Sequence, residues 1–388
     1  MHVRFRGVND AFRGLVQMLD ETDKGEGGCD VTRVGSRNGP VMRIVGPVTV
    51  SYDRPRERVL LNAARDASPF LTLYESLWML AGRNNVAPLA YYAERMRDYS
   101  DDGETLNGAY GYRWRCAKEW TSADHGDDFG LFTFGEVDQL QIVIKHLRVK
   151  PESRRAVLQM WNVEDDLLKI DSSKDVCCNT EVMFSVRRDD TLQPLQGARR
   201  ARGASLLDMT VVNRSNDMIW GTLGNDFVCF SVLQEYAAAH LGVEVGVYNQ
   251  ISNDLHVYLE GNSGWRPQEW LKEYESPETS TERWYTDDFT KTVSLVGDPE
   301  GFDQCIGQFV QENWGDCQDL TASTHWGEPF LDKVAQPMCH AFYAHKRRDY
   351  ATALHWINKV EADDWREAGQ NWILKRKQNW EKSQNEAL

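Results

Sequence analysis

Residues 212–227, VNRSNDMIWGTLGNDF, constrain the fold of this chain more than any other stretch. The run leading into it, SLLDMTVVN (205–213), reads as a strand. The run leaving it, FVCFSVLQEYAAAHLG (227–242), reads as a buried helix stopped by Gly242. Between them stand Arg214, Ser215, Asn216 and Asp217 in a row, and then a second polar pair, Asn225 and Asp226. A strand that passes into a buried helix through so many hydrogen-bonding groups raises the question of what those groups hold.

The remaining elements set the fold class. Residues 8–20 suggest a helix, 41–53 (VMRIVGPVTVSYD) a strand, and 68–82 (SPFLTLYESLWMLAG) a largely buried helix ending at Gly82. Residues 139–150 read as a helix, 156–163 as a strand, 181–188 as a strand joined to 205–213 by a polar Gly/Arg-rich loop, and 243–260 as strand and then turn. Residues 262–333 read as irregular, Trp-rich and acidic, and 336–380 as two helices around the EADDW turn. Strands and helices mix without strict βαβ alternation, so α+β is favoured over doubly wound α/β. No Gly/Ser/Pro-rich linker divides the 388 residues. The expectation is one catalytic domain, with 262–388 as an extension packed on it.

Composition excludes several classes. With 41% hydrophobic and 27% charged residues the chain has material for a core. A net charge of −15 argues against sequence-independent nucleic-acid binding, which wants a basic face. The N-terminus lacks a signal-peptide apolar region, and no window is apolar enough for a membrane span. The eight cysteines are scattered without a zinc-type spacing, so no metal is expected and the thiols read as reduced and cytoplasmic. There is no GxGxxG and no GxxxxGK[ST] loop.

Cys177 and Cys178 lie between the polar turn DSSKD and the strand EVMFSV. A cysteine at such a junction can be exposed and nucleophilic, and neighbouring arginines would lower a thiol pKa from its usual ~8.5. Taken alone, a cysteine pair is more often small apolar filler. Arg37, Arg154, Arg155 and Arg214 all sit in polar turns. Singly each reads as a surface ion pair; together they suit an anionic small molecule.

The ordered set SRNG, YESLWML, NGAYGYRWR, ESRRAVLQMWNV, CCN with MFSV, VNRSNDMIWG and SNDLHVY resembles the thymidylate synthase family, including its phage nucleotide hydroxymethylase branch, over roughly residues 30–260. The resemblance implies a mixed β-sheet whose face packs against a second subunit in a homodimer. It also implies a pyrimidine deoxynucleoside monophosphate as substrate and 5,10-methylenetetrahydrofolate as co-substrate. Cys178 matches the nucleophile that adds to C6 of the base; Cys177 stands where proline is usual and Asn179 where histidine is common. Arg37, Arg214 and Ser215 match phosphate binders, and Arg154 and Arg155 the pair donated across the dimer. His256 and Tyr258, two residues apart and so on one face of a strand, match the sugar-binding residues. Glu75 matches the proton-handling glutamate, and its apolar neighbours imply a raised pKa. Tyr110 matches the tyrosine near the nucleophile. Asp217, Glu75 and Arg97 match the folate side, Arg97 at the place of a tryptophan that screens the reactive methylene.

Base and product are read from single positions. An asparagine matches O4 and N3–H of uracil; an aspartate suits the N4 amino group and N3 of cytosine. The register places either Asn225 or Asp226 at that position, and Gly221, Gly224 and the FS of VCFS favour Asp226, hence dCMP. Arg97 in place of tryptophan and the ending KSQNEAL, unlike the synthases' sealing tail, favour capture by water and a hydroxymethyl product. The competing readings are a dUMP hydroxymethylase, a thymidylate synthase, a dCMP C5 methyltransferase, a non-catalytic nucleotide-binding homologue and a cysteine hydrolase.

Overall fold

The computed structural model describes residues 1–122, 132–189, 203–261, 264–275, 285, 290–315 and 324–386. Its centre is a six-stranded mixed sheet in the order β1-β4-β11-β9-β8-β7. These strands are β1 (His2–Phe5), β4 (Val48–Tyr52), β7 (Val157–Gln159), β8 (Asn179–Arg188), β9 (Ser205–Asn213) and β11 (Glu244–Ser252). β1 and β4 pair in parallel, as do β9 and β11, while β4–β11, β8–β9 and β7–β8 are antiparallel. A second sheet, β10-β12-β3-β2, joins Asn216–Asp217 (β10), Leu255–Tyr258 (β12), Gly39–Ile44 (β3) and Val31–Ser36 (β2). A hairpin of β5 (Ala117–Ser122) and β6 (Phe132–Val137) stands apart. The mixed sheet agrees with the α+β expectation.

Helices α1 (Val8–Asp23), α2 (Pro69–Leu80), α3 (Val86–Tyr92), α4 (Tyr110–Arg115), α5 (Gln139–Val149) and α6 (Asn225–Leu241) follow the apolar periods of the sequence. The start of α2 is fixed by Ser68, whose Oγ accepts from Leu71 N at 3.3 Å, with Pro69 at the first helical position. All of α2 is buried, which explains its near-continuous apolar sequence. α6 packs between α2 and the sheet and ends at Gly242, whose φ of +67° suits glycine alone among common residues at low cost.

Several local expectations are corrected. The strand expected over 41–53 is two strands in two sheets, broken at Gly46 (φ +77°) and Pro47, where the chain turns from β3 to β4. The strand expected over 156–163 is three residues long; Asn162 Oδ1 then accepts from Glu164 N and Asp165 N (2.8 and 3.2 Å) and starts a helical turn, Val163–Leu167. The segment 262–333 contains the helix Pro299–Glu312, capped by Asp298 and buried through Phe302, Ile306, Phe309 and Val310. Beyond it stand three helices, Gln336–Lys346, Tyr350–Ile357 and Asp363–Glu386, where two were expected. They lie on the outer side of α2, where Phe70 meets Phe342 and Trp372 at ring distances of 5.4 and 5.2 Å. The polar loop between β8 and β9 lies mostly outside the described residues, as does Cys317.

The two faces of the large sheet differ. Leu158, Val182, Val211 and Gln250 form one cross-strand row and are buried. Rows on the opposite face, Val157-Met183-Thr210-Asn249 and Gln159-Glu181-Val212-Ile251, are only partly covered by this chain.

Candidate active site

Cys178 ends the turn that leads into β8, and that turn is pinned from below. Asp101 accepts from Ser173 Oγ (2.6 Å) and Lys174 N (2.8 Å), and Asp175 accepts from Gly108 N (2.7 Å). Asp166, wholly buried, accepts from Cys177 N at 3.1 Å and pairs bidentately with Arg113 at 2.5 and 3.0 Å. The sequence reading passed over this pair; its signal was the second arginine-bearing half of NGAYGYRWR. Cys177 is buried, with Sγ on Asn179 O at 3.1 Å, and fits the filler reading. Asn179 turns its amide into the sheet, onto Val212 O (2.8 Å) and Asn213 Oδ1 (3.1 Å).

Cys178 is half-buried, with Sγ 3.6 Å from Nη2 of Arg214. Arg214 is held over it by three bonds: its backbone N to Cys178 O (2.9 Å), Nε to Cys177 O (2.9 Å) and Nη2 to Val176 O (2.8 Å). The arginines pull this thiol's pKa down as expected, but they do not decide it. Burial dominates and pushes it up to about 11; Arg214 and Arg37 pull down, while Asp226 and Asp175 push further up. Arg37, on the β2–β3 turn, donates to Lys174 O at 2.7 Å and to Ser173 O at 3.4 Å, so it stands on the same side as Arg214. Ser215 follows Arg214 and is half-buried.

The facing wall comes from α2 and the N-terminus of α6. Glu75 is buried and accepts from Asn225 Nδ2 at 2.6 Å, while Asn225 Oδ1 accepts from Thr72 Oγ1 at 2.9 Å. Burial raises Glu75 to about 7, against the pull of Asn225 and Arg95. Asp226, half-buried, is raised to about 7 by burial and then by the charges of Glu75 and Asp217. Asp226 in turn acts electrostatically on Cys178 and Tyr110, which places it among them. Tyr110 begins α4 with its ring stacked on Phe230 at 5.5 Å, and burial raises its phenol well above 10. Gly221 is required here: a Cβ would lie 1.9 Å from Asn216 Oδ1 and 3.0 Å from Asp226 Oδ2.

Pairing of β10 with β12 sets Asp217 opposite His256. Asp217 accepts from Ile219 N at 2.8 Å, and burial raises its pKa. His256 is oriented by Asp254, 3.1 Å from Nδ1, which also holds Arg43 at 3.0 Å. The Tyr258 ring meets His256 edge-on at 5.4 Å, and its hydroxyl bonds with the Ser36 and Asn38 side chains of the Arg37 turn.

The remaining sequence candidates fall elsewhere. Arg154 and Arg155 are exposed just before β7, and among the described residues neither side chain bonds to this cluster. Arg97 points to solvent on the turn Glu94–Tyr99 and pairs with Glu94 at 3.0 Å; the structure does not bring it to Glu75. Arg95, on the same turn, is half-buried with its guanidinium 3.9 Å from the centre of the Trp220 ring, and its charge acts on Glu75. Arg65 is a further residue the sequence did not single out. It lies in the fields of Asp217 and Arg95, and its buried Nε has no hydrogen-bond partner. A cleft of about 920 Å³ lined by Trp161, Arg113 and Asp165 lies beyond the site and includes none of Cys178, Glu75 or Asp226. Among the described residues no group of His, Cys, Asp and Glu is arranged for a metal ion, and no helix is long and apolar enough to cross a membrane.

Comparison with known proteins places this arrangement. The family model described as thymidylate synthase matches residues 26–293. A deoxyuridylate hydroxymethyltransferase of Pseudomonas phage M6 is 38% identical over 361 residues, covering 92% of this chain and 91% of that protein. A deoxyuridylate hydroxymethyltransferase of Bacillus phage SP01 is 36% identical over 57% of this chain and 52% of its own length. A thymidylate synthase of Candida albicans is 25% identical over 61% of this chain and 76% of its own length.

Proposed function

The chain belongs to the thymidylate synthase family, and from that premise we propose that it is a C5 hydroxymethyltransferase acting on dUMP with 5,10-methylenetetrahydrofolate. The observation that carries the reading is a thiol under Arg214, linked through the field of Asp226 to a buried carboxyl of raised pKa held by Asn225. Uracil as the base is supported by the names of the phage relatives, two of which are given above.

In this reading Arg214, Arg37 and Ser215 bind the 5′-phosphate, and His256 and Tyr258 the sugar hydroxyl. The Cys178 sulfur bonds to C6 of the base, and the ring electrons move to C5 and O4. The co-substrate supplies a one-carbon unit at the oxidation level of formaldehyde, which becomes bonded to C5; C5 then gives up its proton and tetrahydrofolate departs, leaving an exocyclic methylene group. The residues on its side fit it: Asp217 can accept from the N–H groups of a pterin, and Arg65 has a buried Nε without a partner. Glu75, with a pKa about 7, can both give and take a proton at neutral pH. The partly covered sheet face would pack on a second copy, and the exposed Arg154 and Arg155 would reach the partner's phosphate site. The helices Pro299–Glu312, Gln336–Lys346 and Asp363–Glu386 would act as packing around α2.

The second reading keeps the chemistry and changes the base to cytosine. It is favoured by one observation: Asp226 lies among Cys178 and Tyr110, whereas Asn225 is engaged with Glu75 and Thr72. Release of tritium from C5-labelled dUMP, dCMP and CMP decides between them. The expected result is turnover of dUMP, with dCMP at least ~10-fold slower. Turnover of dCMP alone would overturn the uracil reading. A methyl product with stoichiometric dihydrofolate would overturn hydroxymethylation.

A further inference from the structure

Arg95 lies over Trp220, and its charge reaches both Glu75 and Arg65. It belongs to the turn Glu94–Tyr99, and its guanidinium lies over the Trp220 ring at 3.9 Å. Among the described residues its side chain makes no ion pair and no hydrogen bond. Its charge nevertheless acts on Glu75 and on Arg65. Trp220 is fixed in turn: its backbone N–H donates to Asp217, and a Cβ on Gly224 would lie 2.3 Å from its carbonyl oxygen. A guanidinium held over an indole by its charge leaves its N–H groups available to oxygen. A cation held there, half-buried and without an ion-pair partner among the described residues, is arranged to donate to a small oxygen acceptor near Glu75.

We propose that Arg95 orders the water that captures the methylene group on C5, and so directs the product to hydroxymethyl. The proposal rests on the hydroxymethylation reading above. The water oxygen bonds to the exocyclic carbon, and the C5-methylene electron pair moves into the ring as the C4 enolate. The water proton passes to the Glu75 carboxylate. Collapse of the enolate expels the Cys178 sulfur from C6 as thiolate and restores the C5–C6 double bond. Arg95 donates to the water, leaving its second lone pair for the carbon and its proton aimed at Glu75.

The test uses the full chain with Arg95→Met and Arg95→Lys, 5-tritiated dUMP and methylenetetrahydrofolate, with 2-mercaptoethanol present to trap an uncaptured methylene group. Tritium release reports attack by C5; the ratio of hydroxymethyl nucleotide to thioether reports capture. The expected result for Arg95→Met is tritium release within about 5-fold of wild type and a hydroxymethyl-to-thioether ratio at least ~10-fold lower, with Arg95→Lys in between. An unchanged ratio in a variant that melts with wild type overturns the proposal. So does a rise of more than ~30-fold in KM for the folate at constant ratio, which would assign Arg95 to co-substrate binding. If Arg95→Met does not fold, Arg95→Lys decides by the same ratio. Wild-type protein that releases tritium and yields only methyl nucleotide sinks the hydroxymethylation reading itself, and the role of Arg95 with it.

Discussion

Replacing Glu75 by glutamine should make the protein more stable at high pH while removing its activity. In the folded state burial raises Glu75 from 4.5 to about 7. The folded protein therefore binds more protons than the unfolded chain between these values, and stability falls as pH rises from about 4.5 to about 7, with no further change above. At pH 8.5 the full penalty applies, on the order of 3 kcal/mol from 2.5 units at about 1.4 kcal/mol each. At pH 5 the folded carboxyl is protonated and the penalty is only about 1 kcal/mol. Glutamine carries no such penalty, and its carbonyl can still accept from Asn225 Nδ2, the 2.6 Å partner of Glu75. The loss of a like charge also lowers the pKa of Asp226, which Glu75 helps to raise. Urea unfolding at pH 5 and pH 8.5 measures the difference. The expected result is a gain for Glu75→Gln that is about 2 kcal/mol larger at pH 8.5 than at pH 5, with turnover down at least ~100-fold at both. An equal effect on stability at the two pH values would refute a carboxyl held near neutrality by burial.

Other outcomes follow from the same geometry. A fluorinated dUMP analogue with methylenetetrahydrofolate should add covalently to residue 178 in intact-mass and peptide spectra, and Cys178→Ala should abolish the adduct while keeping nucleotide affinity within about 10-fold. Asp166→Ala leaves Arg113 buried without its partner and unties Cys177 N, so chemical denaturation should show a loss of about 3–5 kcal/mol, more than Arg97→Ala, which removes only an exposed pair. Arg154→Ala with Arg155→Ala should raise KM for the nucleotide at least ~10-fold at unchanged oligomeric state by light scattering. Mixing that double variant with Cys178→Ala subunits should restore activity, since one site per mixed dimer is then intact; no restoration would reject donation across the interface.

The sequence made legible those elements whose start, period and stop agree. α2 has Ser68 and Pro69 at one end and Gly82 at the other, and α6 has Gly242 in the left-handed region. The helix Pro299–Glu312 was equally periodic at Phe302, Ile306, Phe309 and Val310, but its acidic surroundings made the segment read as irregular. The strand over 41–53 could be read as one because alternation continues through Gly46 and Pro47; only the turn decides that its halves serve different sheets. At the site the residue types were legible and their fields were not. Arginines beside a thiol suggested a low pKa, yet desolvation outweighs them. Arg97 suggested the place of a lost tryptophan, yet Glu94–Tyr99 winds as a 3-10 turn. Such a turn advances about 120° per residue instead of 100°, and no residue in ERMRDY announces the change.

The high pKa values of Glu75 and Asp226 bear on the choice of base. An ionised aspartate would favour cytosine, whose N4 amino group is a donor. Asp226, with a pKa about 7, is half-protonated at neutral pH. A neutral carboxyl offers one donor and one acceptor, and because either oxygen can carry the proton, it can face O4 and N3–H of uracil as well as N3 and the amino group of cytosine. Asp226 by itself therefore does not turn the site toward cytosine. In the proposed complex with uracil, its proton would point at O4. The Cys178 thiol, pushed up to about 11, is only about one part in ten thousand thiolate at pH 7, so sulfur attack must coincide with loss of its proton. The negative charge that attack sends to O4 is then met by a donor already in place. Asp226 in its protonated form is thus suited to the uracil reaction in two ways: it pairs with the base at rest and stabilises the oxygen as charge develops there.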